Sequence, residues 1–381
     1  MAELERVVVV GGGVGGCAAA LALRHAGIAV EVHEKYGDFQ GRATGFSIWA
    51  YAIKRLLELG FERERLDRIG REMVQQDIYS QSGEPMMSLP VADASGTVGA
   101  PSMDVDRRRL QEEIVDLLGD GIYRFDSEVV AVESDTDSAT ARLADGSEAT
   151  GDLVIAADGI HSIIRDSFNQ KPEFLISPSD VLEGIADFDH PWLRDGHHAQ
   201  VWGRGRRAGI GAVADGRVRW FAGGIVKSDE GDIETAEMVR RVDGMPEIVS
   251  GVIAATEPDQ IVRARIAHAY PVERWHDGRV VLLGDAAHTL SPFAGMGACS
   301  TIEDAAQLVE QLTSTSSVED ALSAYVESRR AKTFEIEKRG RRNEWMMMTA
   351  NPVVGRVRDW MLEHAPEDKR REIATEMATG E

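Results

Sequence analysis

Residues 7–34 read Val7-Val8-Val9-Val10-Gly11-Gly12-Gly13-Val14-Gly15-Gly16, then Cys17-Ala18-Ala19-Ala20-Leu21-Ala22-Leu23-Arg24-His25-Ala26-Gly27, then Ile28-Ala29-Val30-Glu31-Val32-His33-Glu34. Four β-branched residues in a row offer no polar face, which suits a parallel strand covered on both sides. Glycines follow where the chain must turn, and small apolar residues at helical spacing continue until Gly27 stops them. Residues 28–33 resume a strand pattern and end at an acid. Strand, turn, helix and strand within this length make a βαβ unit.

Inside that unit Gly11-x-Gly13-x-x-Gly16 has the spacing of a dinucleotide fingerprint. Gly11 permits the tight turn, Gly13 lets backbone N–H groups approach a pyrophosphate, and Gly16 allows close helix–strand packing at a helix N-terminus that favours an anion. Glu34 would accept hydrogen bonds from ribose hydroxyls and repel a 2′-phosphate. The motif alone does not separate NAD from FAD.

A chain of 381 residues is longer than most single cores, so one large domain or two intimately packed ones is expected. The net charge of -22 opposes attraction to nucleic acid and to anionic lipid, both polyanions. Cys17 and Cys299 are the only cysteines, without disulfide framework or metal-ligand spacing, so no metal and a reducing cytoplasm are expected. The apolar run at 7–10 is too short to span a membrane.

Further along, 42–60 passes from a glycine-containing loop into an amphipathic helix, 74–101 is strand-like and loop-rich, and 106–118 is helical. Strands are expected at 128–133, 139–143 and 153–157, with a hairpin turn at Asp145-Gly146. Between 172 and 267 short strands alternate with Gly- and Asp-bearing turns, as in the sheet of a second domain. Residues 279–283 form another buried strand, and helices dominate from 300. The division expected is a discontinuous cofactor domain (1–73, 101–171, 268–345), a substrate domain (74–100, 172–267) and a C-terminal helical segment (346–381).

Two more motifs complete the set. Asp158-Gly159-Ile160-His161-Ser162 follows a buried strand, and Gly284-Asp285-Ala286-Ala287-His288 leads on to Pro292-Phe293-Ala294-Gly295-Met296-Gly297. With all three in this order, the chain resembles the FAD-dependent aromatic hydroxylases of the p-hydroxybenzoate hydroxylase type, single-component flavoprotein monooxygenases, over roughly residues 5–342. The resemblance implies an α/β fold with a Rossmann-like, glutathione reductase-type FAD domain interleaved with a smaller sheet-based substrate domain and a helical C-terminus.

It also implies a cofactor set of Gly11, Gly13, Val14, Gly16, Glu34, Lys35, Arg42, Arg107, Asp158, Asp285, Pro292, Gly295, Met296, Gly297 and Ala298. Asp285 matches an aspartate on the ribityl chain, and Arg107 and Arg42 match basic residues that neutralise pyrophosphate or contact the flavin. Pro292, Gly295 and Gly297 belong to the loop beside the reactive ring, where N–H donors stabilise the charge of reduced flavin. Asp158 matches a segment serving both FAD and NAD(P)H, with a structural turn role equally open. No side-chain base is assigned; His288 and His161 are expected to serve packing and turn, and Trp202 and Trp220 to fill the core. Ala50-Tyr51 stands where many relatives carry Pro-Asn, and Met296 replaces a common glutamine.

The implied reaction takes hydride from NADH or NADPH and O2, and hydroxylates a small aromatic or heteroaromatic ring through a flavin C4a-hydroperoxide. The protein is expected to be a monomer or homodimer. A flavin-dependent halogenase, a geranylgeranyl-type reductase and a non-catalytic flavin-binding protein are the rivals, although the Trp-x-Trp-x-Ile-Pro signature of the halogenases is missing.

Overall fold

The computed structural model describes residues 4–39, 44–168, 171–225, 239–240 and 242–381. Arg42 lies outside the described residues. The opening motif forms strand β1 (Arg6–Val10), helix α1 (Val14–His25) and strand β2 (Ala29–His33). β1 lies in parallel between β2 and the strand Leu153–Ala156, with Val7 opposite Val30 and Leu153. The sheet continues through Val280–Leu282 to His276–Asp277 on one side and to Tyr123–Arg124 on the other. Val7, Val8 and Val9 are fully buried, as a strand covered on both faces requires.

The glycine spacing follows from contact. Gly11 has φ +94°, and a Cβ there would strike the Ala157 carbonyl. A Cβ on Gly16 would strike the Gly11 carbonyl, so α1 can approach β1 only with glycine at both positions. The third motif is fixed by a buried ionic cluster. Asp304 accepts from Arg329 Nε at 2.6 Å and from the Gly284 N–H at 3.2 Å, and its other contact is His288 Nε2 at 2.5 Å. His288 is buried within this cluster and does not reach the wall of the main cavity. His161 is exposed in its turn.

A seven-stranded sheet forms the second layer, in the order Val262–His268, Leu175–Asp187, Arg217–Ile225, Arg206–Ala212, His197–Trp202, Gln75–Ser80, Pro85–Leu89. Its two faces follow the period of two. Ala199, Val201, Ala208, Ile210, Val218, Trp220 and Ala222 point to a core closed by the helix Glu247–Ala254. The alternate residues point back toward the first layer. A small sheet of Gly45–Ile48, Met103–Asp106 and Gly70–Glu72 joins the layers.

Two expectations need correction. Residues 91–98, expected to be strand or loop, form the helix Val91–Val98. The boundary at 345/346 falls inside the 30-residue helix Val318–Met347, so the C-terminal segment continues that element without a break before the helices Pro352–Glu363 and Glu367–Thr379. Among the described residues no helix is long and apolar enough to cross a membrane, and no group of acids, histidines and cysteines could hold a metal.

Candidate active site

One cavity of about 890 Å³ runs between the two layers. Of the expected residues it gathers Gly13, Val14, Arg107, Asp285, Pro292, Gly295, Met296, Gly297 and Ala298 on its walls. These come from α1's start, the first turn of the helix Arg107–Leu118, and the segment that follows the strand Val280–Leu282. Gly11, Gly16, Glu34, Lys35 and Asp158 lie outside the wall. Glu34 accepts from the N–H groups of Gly12 at 2.7 Å and Tyr36 at 3.1 Å, so it braces the glycine turn from behind. Lys35 sits over the Tyr36 ring, 5.0 Å from its centroid. Asp158 accepts weakly from the Ile164 N–H at 3.5 Å, and its other oxygen is buried without a hydrogen-bond partner among the described residues. Burial, partly offset by Ser162, pushes its carboxyl up.

The fit to a flavin dinucleotide rests on groups left open. No described residue hydrogen-bonds or pairs with the Arg107 guanidinium, although Asp106, which caps the same helix, positions it. Nothing lies within 4 Å of where a Cβ of Gly13 would stand, so the backbone there is clear for a phosphate. The Asp285 side chain projects into the cavity, and enclosure pushes its carboxyl up, partly offset by His288 and Arg107. A cation, a bare helix start and a carboxylate match phosphate and polyol in that order.

The loop at 291–297 is held by its surroundings. Glu337 accepts the Ser291 N–H at 2.7 Å and meets His268 Nδ1 at 2.5 Å. Asn343 donates to the Phe293 carbonyl at 3.2 Å, and Trp49 Nε1 donates to the Gly295 carbonyl at 2.7 Å. Arg339 Nη2 lies 2.6 Å from Met296 Sδ. Trp49 and three residues of the helix Val318–Met347 thus fix one loop, and Pro292, Gly295, Met296 and Gly297 of it line the cavity.

Beyond the loop the cavity becomes a chamber under the large sheet. Ile78, Gln200, Trp202, Arg207, Arg219, Phe221 and Glu183 face it, joined from the small sheet by Phe46 and Ser47. Glycines make the space: a Cβ on Gly209 would enter the Phe221 ring, and one on Gly211 would enter the Asp104 carboxylate. Asp104 ties the layers together, accepting from Arg219 Nε at 2.8 Å and Ser47 Oγ at 2.8 Å and meeting His198 Nδ1 at 2.8 Å. Burial works against its ionisation, yet Arg219 and His198 outweigh it and hold the carboxyl well below the usual range.

Arg207 is different. It donates to Gln200 Oε1 at 2.9 Å and lies 5.0 Å from the Phe221 centroid, but no carboxylate pairs with it among the described residues. Burial, with Arg219 nearby, lowers its pKa to about 10. Glu183, two strands away on the same face, has its carboxyl pushed up by burial despite Arg219 and Arg107. Trp202 and Trp220 both lie in the core, as expected, and Trp202 also borders the chamber and donates to Gln200 at 3.0 Å. Met346, Met347, Met348, Ile373 and Met377 close the far side from the C-terminal helices. Cys17 and Cys299 are buried, and burial raises both thiols to about 12, so neither is a nucleophile.

Sequence reasoning missed Arg207, Glu183 and Phe221. The available signal was alternation: Arg219-x-Phe221-x-Gly223 and Arg207-x-Gly209-x-Gly211 interleave with apolar core residues.

Comparison with known proteins agrees with this geometry. The chain is 33% identical over 336 residues to aurachin C monooxygenase/isomerase of Stigmatella aurantiaca, covering 86% of each chain. It is 31% identical over 329 residues to an FAD-dependent urate hydroxylase of Klebsiella pneumoniae, covering 84% of each. The fold superposes on Klebsiella pneumoniae HpxO complexed with FAD and uric acid with a TM-score of 0.90 and 26% identity, over 98% of this chain and 96% of that one. Residues 5–339 match the profile of the FAD binding domain family. The chain belongs to that family of FAD-binding proteins, and FAD is its cofactor.

Proposed function

We propose that this protein is an FAD-dependent monooxygenase that hydroxylates a planar heteroaromatic compound, consuming NADH or NADPH and O2 and releasing water. The observation that carries this reading is the continuity of one cavity from the Gly13 and Arg107 end to a chamber lined by Trp202, Phe221, Arg207 and Glu183. One relative is a urate hydroxylase and the similar HpxO binds uric acid, in keeping with a chamber that is mostly apolar with a few convergent polar groups.

FAD, when bound, supplies hydride acceptance and O2 activation. The chain's residues do the rest. Backbone N–H groups at Gly13 and Val14, with Arg107, hold the pyrophosphate, and Asp285 holds the ribityl hydroxyls. The loop at 292–298 would border the ring. Arg207 binds an acidic or carbonyl oxygen of the substrate, whose plane lies against Phe221 and Trp202. Glu183 accepts the proton that leaves a ring O–H or N–H, which raises the electron density of the ring. The methionines at 346–348 and Met377 exclude water. Two free, buried thiols support a reducing cytoplasm as the place where it works.

Oxidation of NADH and NADPH by the FAD-loaded protein, measured across phenols, quinolones, hydroxypyridines and purines, tests the reading. A ring compound should accelerate it and emerge bearing one oxygen atom from 18O2. If flavin binds but no ring compound accelerates oxidation, the protein is a flavin carrier and not an oxygenase.

A further inference from the structure

The helix Pro352–Glu363 is mounted with its apolar side outward. Gly355 and Arg358 are its buried residues, whereas Val353, Val357, Trp360 and Met361 are 54–66% exposed. Arg358 pins the inner side by donating to the carbonyls of Gly203 at 3.2 Å and Met347 at 3.1 Å. Soluble surface helices place their apolar stripe on the core. Here Val353, Val357, Trp360 and His364 instead form a stripe at spacings of four, three and four residues, facing away from the protein, with Trp345 also 66% exposed.

We propose that this face is the two-fold interface of a homodimer, in which Pro352–Glu363 packs antiparallel against the same helix of a second copy. The spacing is that of alternating core positions in a coiled coil. Antiparallel pairing sets Val357 against the partner's Trp360 and Val353 against the partner's His364. On one flank Arg356 then falls beside the partner's Glu363, and by symmetry the pair occurs twice. On the other flank Val354 falls beside the partner's Met361. Both flanks are self-complementary, as a two-fold contact requires. Arg356 and Glu363 are exposed and have no ion pair in the protomer among the described residues.

The area also suits a dimer. Trp360, still 60% exposed, has roughly 100–150 Å² left to bury. With Val353, Val357, Met361 and the flanking Arg356 and Glu363 it supplies a large part of the ~800 Å² per partner that a stable interface covers. A lipid surface fits less well, because the chain's charge of -22 repels anionic membranes. The inner side of the same helix contributes Leu362 to the cavity wall, so the dimer would also clamp that wall.

Light scattering and sedimentation of the FAD-loaded full chain at micromolar concentration should give the mass of two chains. W360E should halve the mass while flavin content and circular dichroism stay unchanged. R356E and E363R should each weaken the dimer at least tenfold, and the double variant R356E/E363R should restore it, which a loss of folding cannot imitate. A monomeric wild-type chain overturns the proposal, whether or not it floats with anionic vesicles. So does a dimer indifferent to all four variants.

Discussion

Arg207 is a cation enclosed beside aromatic rings with no anion to meet it among the described residues, an arrangement that costs free energy until a ligand supplies the counter-charge. Arg207→Gln removes the charge and keeps a polar head near Gln200. Affinity for an acidic ring compound, read from perturbation of the flavin spectrum, should fall about 10- to 100-fold, in line with ~1.5–3 kcal/mol for a charged hydrogen bond. In the wild type the same affinity should hold below a pH of about 10 and fall above it as the guanidinium loses its proton. Glu183 gives the opposite limb. Its carboxyl is raised, so kcat/KM for substrates with an ionisable O–H should climb with pH through a value above that of an ordinary glutamate. Glu183→Gln should flatten this acid limb and leave FAD binding intact; an unchanged profile removes Glu183 from proton transfer. Alternation marked the strand faces in sequence but singled out neither residue. Each is one of many charged residues in short strands, and only the pairing of Phe221 with both Gly209 and Glu183 brings them to one chamber.

Elements were more legible where local chemistry and tertiary packing agree. The βαβ unit at 6–33 was readable because four valines, the glycine turn and an alanine-rich helix all favour the same outcome. The helix Val91–Val98 was not, since Val-Ala-Asp-Ala-Ser-Gly-Thr-Val is a weak helix former. It forms by packing against the helix Glu367–Thr379, a partner nearly three hundred residues later. Long-range ties also fix the loop at 291–297 on the cavity wall. His268 meets Glu337 at 2.5 Å and Glu344 at 3.5 Å, and Glu337 holds the Ser291 N–H. Burial opposes charge on His268, but the two glutamates outweigh it and raise its pKa to about 9. A pKa raised on folding stabilises the native state fully below the unfolded value near 6.5 and loses that contribution as pH rises through about 9. Stability against thermal unfolding should therefore fall between pH 7 and 9.5, by on the order of 2–3 kcal/mol. His268→Asn should be less stable at pH 7 and show less of this alkaline loss. Asp104 works in the other direction. Its depressed carboxyl stabilises above the unfolded value, and that contribution disappears as acid reaches the folded one. Asp104→Ala leaves Arg219 buried without its anion and should cost about 3–5 kcal/mol in chemical denaturation.

At the scale of the molecule, catalysis depends on a cavity whose walls come from both sheets and the last helices. The proposed flavin end draws on residues near 13, 107 and 285, the chamber on the large sheet, and the closure on residues 346–348, 362 and 373–377. The three glycine motifs made the cofactor legible because phosphate and flavin impose local backbone demands. The substrate imposes none, so its chamber is written in single residues spread over the chain. The closing helices follow the same logic. Glu367–Thr379 buries Ala374 and Ala378 and brings Ile373 and Met377 to the cavity, while Arg339 donates to the carbonyl of the terminal Glu381 at 2.7 Å. Removing residues 366–381 would leave the Gly13, Arg107 and Asp285 end complete and open the chamber to water. The shortened protein should still bind FAD and oxidise NAD(P)H, but hydrogen peroxide should replace hydroxylated product several-fold, because an oxygen-activating site needs water kept out. Ile373→Asp, which leaves the helix in place, should shift the ratio of peroxide to product the same way. If coupling survives both changes at the wild-type level, water is excluded by the sheet and the loop at 292–298 alone.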